Sequence, residues 1–493
     1  MAVEHVFVLM LENRSFDHML GFSGIQGADA VDGSATTIGG LTGNEFNTFN
    51  GQSFRVTQGA DRSMPTDPSH EFDAVVHQLC GAGATYPHGG PYPTIDNSGF
   101  VTSYMANGGQ DPREIMKCYT PDQLPVLAAL CREFAVCDNW HASMPGPTWP
   151  NRMFMHAASS GGLDHSPTVA EIAAWEGISG FPFPRGSIFD KLYAAGVRRR
   201  LYGGDDFPMV AALKGIRLDD IRHYSLFESD LQQPDYSDQY IFIEPSYDVL
   251  NKYRNGTSQH PLGDVVRGEM LIKQTYEAIR RSPVWNTSLL IITWDEHGGF
   301  YDHVHPGAAP APNDGAPTHF NQNGFTFTVY GPRVPAVVIS PLISKNVVDK
   351  RVYDHASIPA TVESVFGIAP LADRDRNARP LDALCMLAAP RGDALMTLPN
   401  PAGGLIAPFT TEMMNDLSSV DVAAPGESVD EGNVPAVVYS AMQQDLTLSD
   451  PAERPAIVGR VAALKTRADA LQYMAYVQKK IRPHRARAVA RYR

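Results

Sequence analysis

Two places in the chain set oxygen-bearing side chains directly behind an apolar run. Val6–Leu11 is followed by Glu12 and Asn13, and Leu289–Trp294 by Asp295 and Glu296. Carboxylate and amide oxygens are hard donors suited to a divalent cation such as Ca²⁺, Mg²⁺ or Mn²⁺. One acid behind one strand is only a loop start or a helix cap. Its repetition points to two halves of one ligand set. Between them in sequence lies Thr148, at the end of the tight loop Pro145–Gly146–Pro147 and just before a helix predicted from about Pro150. A hydroxyl facing the free N–H groups of a helix start suits a phosphate, although the same residues would serve as an ordinary N-cap. His70 falls at the start of a helix predicted over Glu71–Leu79, and His260 precedes another that opens at Val265. A threonine hydroxyl is a poor nucleophile at neutral pH. A divalent cation lowers its pKa and neutralises phosphate charge. Histidines can bind phosphoryl oxygens or protonate a leaving alkoxide. This set of residue types suits hydrolysis of a phosphate ester.

The elements that must position these residues follow from hydrophobic patterning. Val6–Leu11 and Leu289–Trp294 are continuous apolar runs, as expected of parallel strands buried on both faces. Ligand sites in such sheets form outside the carboxyl ends of the strands. Further strands are predicted at Arg200–Tyr202, Tyr240–Glu244 and Pro335–Ile343. Pro121–Cys137 reads mostly as a helix, with Phe134–Cys137 equally compatible with a strand. A long helix is predicted from Val265 to Arg281, with two basic residues at its C-terminus. Tyr353–Phe366 reads as a helix, as do Ala436–Gln444 and Pro455–Lys480. Ser15 reads as a helix-start cap, His297 as either a support for Glu296 or a loop residue, and His303 as a structural hydrogen-bonding group.

Composition bounds the function. The 493 residues are 43% apolar and 19% charged, with a net charge of −14. That acidity argues against general nucleic-acid binding and against adsorption to anionic membranes. The cysteines, Cys80, Cys118, Cys131, Cys137 and Cys385, form neither a CxxC pair nor a disulfide framework, and the sulfatase-type pattern of Cys, one residue, Pro, one residue, Arg is absent. No apolar stretch reaches the roughly 18 residues of a transmembrane helix. No signal peptide precedes the first strand, which points to the cytoplasm or to a secreted form lacking its leader. A linker-like stretch, Leu398–Gly404, divides the chain into a catalytic domain over 1–400 and a partly helical region over 401–493. The latter is irregular to about Pro435. It ends in a basic run (Lys479, Lys480, Arg482, Arg485, Arg487, Arg491, Arg493) that reads as a solvated tail or as a contact for phosphate or membrane.

Glu12–Asn–Arg–Ser–Phe–Asp–His18, Gly146–Pro–Thr–Trp–Pro–Asn–Arg152, His260–Pro261 and Asp295–Glu–His–Gly–Gly–Phe–Tyr–Asp–His303 resemble the signature blocks of the bacterial and plant phosphoesterase family. That family contains the phosphatidylcholine-type (non-specific) phospholipases C and a group of acid phosphatases. Asp67–Pro–Ser–His70 and Tyr353–Asp–His355 extend the resemblance. It implies an alkaline-phosphatase-like α/β/α sandwich with a mainly parallel central sheet. It implies Glu12, Asn13, Thr148, Asp295 and Glu296 as ligands of one divalent metal ion, with Ca²⁺, Mg²⁺ or Mn²⁺ favoured over Fe or Zn²⁺. Thr148 would be the nucleophile, passing through a phosphothreonine intermediate. His70 and His260 would bind the phosphoryl group, one of them serving as general acid, and Asn151 and Arg152 of the second block fall on the substrate side. The expected substrate is a phosphate ester, with phospholipids in the candidate class. The expected activity is of phospholipase C type, the alternatives being a broad-specificity phosphomonoesterase and a silent relative that binds a phosphorylated ligand. The chain departs from the family in two respects, one being that it lacks the long C-terminal extension of the larger phospholipases. A further histidine between nucleophile and His260 has no match, since Leu201–Tyr–Gly–Gly–Asp205 occupies its place and His223 lies elsewhere. Oligomeric state is not legible.

Overall fold

The computed structural model describes residues 2–175, 180–216, 220–404, 417, 420 and 422–491, with side chains described up to residue 484. Residues 405–416, 418, 419 and 421 of the stretch expected to be irregular, and the side chains of Arg485, Arg487, Arg491 and Arg493, lie outside the described residues.

Ten strands form the central sheet. In chain order they are β1 (His5–Leu11), β2 (Gln26–Asp29), β3 (Ala35–Thr37), β4 (Ala135–His141), β5 (Arg199–Gly203), β6 (Ile221–His223), β7 (Tyr240–Glu244), β8 (Ser288–Trp294), β9 (Ala336–Ile339) and β10 (Val347–Asp354). Across the sheet the order is β6, β5, β7, β1, β8, β9, β4, β10, β2, β3. Pairing is parallel except where β9 runs against β8 and β4, and where β3 folds back on β2. Every residue of β1, β7 and β8 is buried, so both faces of the sheet are covered. Two groups of helices pack together: Pro125–Glu133 and Phe227–Leu231 against Val265–Arg281, and Ile188–Ala194 and Ser357–Phe366 against Thr148–Ala157. The expected α/β/α sandwich with a mainly parallel sheet is present.

Register brings the two acidic segments together. Leu11 pairs with Trp294 at the ends of adjacent parallel strands, so Glu12 and Asp295 leave the sheet side by side. The strand β4 leads into the loop before Thr148, and its parallel partner β10 ends at Asp354, immediately before His355.

Three expectations about elements need correction. Tyr353 and Asp354 end a strand rather than open a helix, which begins at Ser357. The strand Val347–Asp354 alternates buried and exposed residues only in part, and a bulge between Asp349 and Val352 breaks its period. Pro455–Lys480 is two helices, Arg454–Ala462 and Arg467–Arg491, with the chain turning between them. The strand at Pro335–Ile343 is shorter, Ala336–Ile339. The helix Val434–Leu448 packs on the short turn Met209–Ala212 and on the two helices that follow it. Its buried residues Val437, Val438 and Tyr439 join the same apolar core as β1 and β8.

Candidate active site

Asn13 is the hub of the carboxyl edge. It has φ +60, a left-handed conformation that asparagine tolerates better than most residues. Its backbone N–H donates to Asp295 Oδ1 at 3.0 Å. Its Nδ2 donates to Glu296 Oε1 at 2.5 Å and lies 3.1 Å from His70 Nε2. Gly298 makes this packing feasible: at φ +64, a Cβ there would sit 2.1 Å from the Asn13 carbonyl oxygen. The Gly298 N–H also donates to Glu296 Oε2 at 2.7 Å.

Asp295 is fixed from two sides. Oδ1 also accepts from the Glu296 N–H at 2.7 Å, and Oδ2 meets Arg152 Nε at 2.9 Å. Arg152 lies one helical turn after Thr148, so the two side chains share a face of Thr148–Ala157. Arg152 therefore ties the helix that bears Thr148 to Asp295. Asn151 braces the preceding loop. Its Oδ1 accepts from Met144 N–H, and its Nδ2 donates to the carbonyls of Met144, Gly146 and Pro147. The N-cap position belongs to Pro147 rather than Thr148.

Three oxygens of the expected ligand set stand out. Glu12 Oε1, Asn13 Oδ1 and Thr148 Oγ1 are buried and have no hydrogen-bond partner. A buried polar atom without a partner calls for an explanation, and a bound ion is one. Burial pushes Glu12 up to about 8, with the Asp295 charge adding to it. Asp295 is pushed up to about 6 by burial, against the Arg152 guanidinium that pulls it down. Such mutual repulsion among buried acids is what a bound cation relieves.

The histidines sit beside this edge in opposite settings. His70 Nδ1 donates to the Pro68 carbonyl at 3.0 Å. Burial lowers its pKa, but the Glu296 and Asp67 carboxylates outweigh that and raise it to about 9. The His260 ring lies flat on Tyr253, with centroids 3.4 Å apart and planes 3° from parallel. Its Nδ1 accepts from Leu262 N–H at 3.3 Å, which leaves the proton on Nε2, 3.4 Å from Asp67 Oδ2. Burial, reinforced by the charges of His70 and Arg14, holds its pKa well below the usual histidine range.

Sequence reasoning missed several participants. Arg14 is wholly buried and ties the His260 segment to β1, Nε donating to the Gln259 carbonyl at 2.7 Å. His355 Nε2 donates to the Asp295 carbonyl at 2.5 Å while Nδ1 accepts from Trp140. Asn433, from the C-terminal region, donates to Glu12 Oε2 at 2.9 Å. Arg14 and His355 stood inside noted blocks but carried no distinguishing signal. Asn433 fell in the stretch read as irregular, just before the helix predicted at Ala436–Gln444. His297 backs the cradle, with Nε2 2.7 Å from Gln78 Oε1 and Nδ1 3.4 Å from Glu296 Oε2. Ser15 caps its helix, accepting from His18 N–H.

Among the described residues, Asp17, Asp302 and His303 are the acids and histidine that lie close enough together to hold a metal ion. The Arg333 guanidinium already fills that place, with Nη2 3.0 Å from Asp17 and Nε 2.9 Å from Asp302. His303 hydrogen-bonds Asp17 Oδ2 at 2.7 Å, the structural role expected of it.

This carboxyl edge gathers the Asn13 turn, the buried acids Asp295 and Glu296, and His70. The chain belongs to the Phosphoesterase family, whose model matches residues 3–369, and it is a phosphoester-hydrolysing enzyme. It is 36% identical over 418 residues to non-specific phospholipase C6 of Arabidopsis thaliana, covering 81% of this chain and 75% of that protein. It is 33% identical over 440 residues to non-specific phospholipase C3 of the same plant, covering 85% and 80%. Among solved structures it is similar to a protein in the alkaline phosphatase superfamily from Vibrio parahaemolyticus, at 14% identity and TM-score 0.28, over 50% of this chain and 60% of that one. A likeness of that degree adds nothing to what the sheet itself shows. No described helix is long and apolar enough to cross a membrane.

Proposed function

We propose that this enzyme is a metal-dependent phosphodiesterase of phospholipase C type that uses Thr148 as its nucleophile. The observation that carries the reading is the set of three buried, partnerless oxygens, Glu12 Oε1, Asn13 Oδ1 and Thr148 Oγ1, with Asp295 and Glu296 bonded to the Asn13 turn and Asp295 to Arg152 on the helix that bears Thr148. Their chemistry fits one divalent cation held by Glu12, Asn13, Thr148, Asp295 and Glu296, and the all-oxygen set favours Ca²⁺, Mg²⁺ or Mn²⁺. When bound, such an ion lowers the hydroxyl pKa and neutralises phosphate charge. The diester preference draws on the relatives, which carry the name non-specific phospholipase C.

In this reading the Thr148 oxygen attacks phosphorus and displaces the glycerol-side alkoxide, leaving the headgroup phosphate esterified to Thr148. Water then attacks the same phosphorus and releases the phosphorylated headgroup and the free hydroxyl. His70 favours its protonated form and suits binding of the phosphoryl oxygens. His260, held neutral, carries a proton on Nε2 that suits a hydrogen bond to a phosphoryl or leaving oxygen, while the protonated His70 is the ring able to give up a proton to the leaving alkoxide. Asp67 faces the His260 proton and can fix that ring. Arg152 holds Asp295 rather than reaching past it.

Turnover of a chromogenic phosphocholine diester, compared with the matching phosphomonoester, tests the reading. The wild-type chain with Mn²⁺ should favour the diester, and Thr148→Ala should lower kcat by at least ~10³-fold. Preference for the monoester would move the assignment to a phosphomonoesterase. Hydrolysis of neither would leave a silent phospho-ligand binder.

A further inference from the structure

Asn433 lies well beyond residue 369, where the family match ends. It stands at the N-cap position of Val434–Leu448. An asparagine there ordinarily turns its side-chain oxygen back onto the first free N–H groups of the helix. Asn433 makes no such bond. Its amide reaches out to Glu12 instead, Nδ2 donating to Oε2 at 2.9 Å. Its backbone N–H donates to the Tyr253 hydroxyl at 3.0 Å, and the Tyr253 ring is the one stacked on His260. One buried residue thus grips both the Glu12 carboxylate and the support of His260.

Its neighbours hold it there. Gly432 has φ +56, and a Cβ at that position would come within 2.7 Å of the Tyr253 hydroxyl. Asp430 Oδ1 accepts from Val169 N–H at 2.7 Å. Tyr439, further along the helix, stacks on Trp149, the residue after Thr148, with centroids 6.0 Å apart. The C-terminal segment is therefore anchored to the helix that bears Thr148 as well as to the segment that bears His260.

We propose that Asn433 is a positioning residue through which the C-terminal segment completes the active site. It holds Glu12 Oε2 so that Oε1, the partnerless oxygen, points in a fixed direction. The inference rests on the assignment of Glu12 to a divalent cation made above. Hydrogen-bond partners behind a ligating carboxylate set its orientation and basicity. Without the amide, Glu12 is free to rotate and Oε2 is left buried without its donor. Asn433 acts through Glu12 and Tyr253 and needs no contact with substrate.

Calorimetric titration of Mn²⁺ into the chelator-stripped, full-length chain tests this, with wild type, Asn433→Ala, Asn433→Leu and Glu12→Ala compared. Asn433→Leu keeps the side-chain volume and removes only the amide. Both Asn433 variants should bind Mn²⁺ ~10–100-fold more weakly. Their kcat on the phosphocholine diester should fall while KM stays at the wild-type value, and both should fold, with melting temperatures without metal lowered only by the few degrees that one lost buried hydrogen bond costs. Wild-type Mn²⁺ affinity in Asn433→Leu, with affinity lost in Glu12→Ala, overturns the role of Asn433 and leaves the metal assignment standing. Wild-type affinity in Glu12→Ala overturns the metal assignment itself. Failure of both Asn433 variants to fold also overturns the proposal, because Asn433 would then be a structural residue.

Discussion

Arg152 Nε lies 2.9 Å from Asp295 Oδ2, and both side chains are buried. The same guanidinium donates from Nη2 to the Leu11 carbonyl at 2.9 Å. One side chain therefore joins the helix of Thr148 to the ends of both strands that deliver the acids. A buried ion pair adds little net stability compared with apolar packing, but removing one partner strands the other. Arg152→Met should lower stability by ~3–5 kcal/mol in chelator-treated protein, read as a shift in the urea midpoint. An unchanged midpoint would mean that Asp295 is not held in this way.

Asn151 separates bracing from substrate contact. With Oδ1 and Nδ2 both spent on the Met144–Pro147 loop, Asn151→Ala should cost ~1–3 kcal/mol in the urea midpoint and lower kcat through a misplaced Thr148. KM should be unaffected. A raised KM with normal kcat and stability would instead make Asn151 a substrate-binding residue.

Stability of the metal-free protein should fall as pH rises above about 6.5. Glu12 is raised to about 8 by burial and by Asp295, so the folded state keeps a proton that the unfolded chain loses near 4.5. His70 is opposed by burial but raised to about 9 by Glu296 and Asp67, so its contribution is complete below 6.5 and lost through about 9. Both act in the same direction. Above about pH 6.5, where the buried histidines of lowered pKa such as His260 are neutral in both states, melting temperatures with chelator should therefore decline toward about pH 9, and Glu12→Gln should flatten the lower part of that slope. Saturating Mn²⁺ should raise the melting temperature more at about pH 8.5 than at about pH 5. A melting temperature that rises with pH over that range in the chelated protein would contradict the placement of these groups.

Gly298 is required by packing as well as by its φ of +64. Gly298→Ala places a methyl against the Asn13 carbonyl and should cost more than ~1 kcal/mol while weakening Mn²⁺ retention. Wild-type metal content and midpoint in that variant would show that the Asn13 turn can relax.

The centre of the fold was legible because fully buried strands leave continuous apolar runs. Val6–Leu11 and Leu289–Trp294 could be read directly, and the acids behind them suggested which edge mattered. What the sequence lacked was punctuation and distance. Residues Ala463–Thr466 separate two helices with neither Gly nor Pro, so their break left no mark. The strand Val347–Asp354 hides its period behind a bulge. Arg333, buried between Asp17 and Asp302, and Asn433, bonded to Glu12 across most of the chain, are polar residues whose partners only the folded chain brings near. No local pattern separates them from surface charge or from a helix cap.

The most direct test of the account is a covalent one. Mn²⁺-loaded wild-type enzyme, mixed with excess phosphocholine diester and quenched in acid during turnover, should yield a peptide carrying the headgroup phosphate on Thr148 by mass spectrometry. Thr148→Ala should show neither adduct nor turnover. Wild-type rates in Thr148→Ala, or an adduct on any other residue, would contradict the central claim.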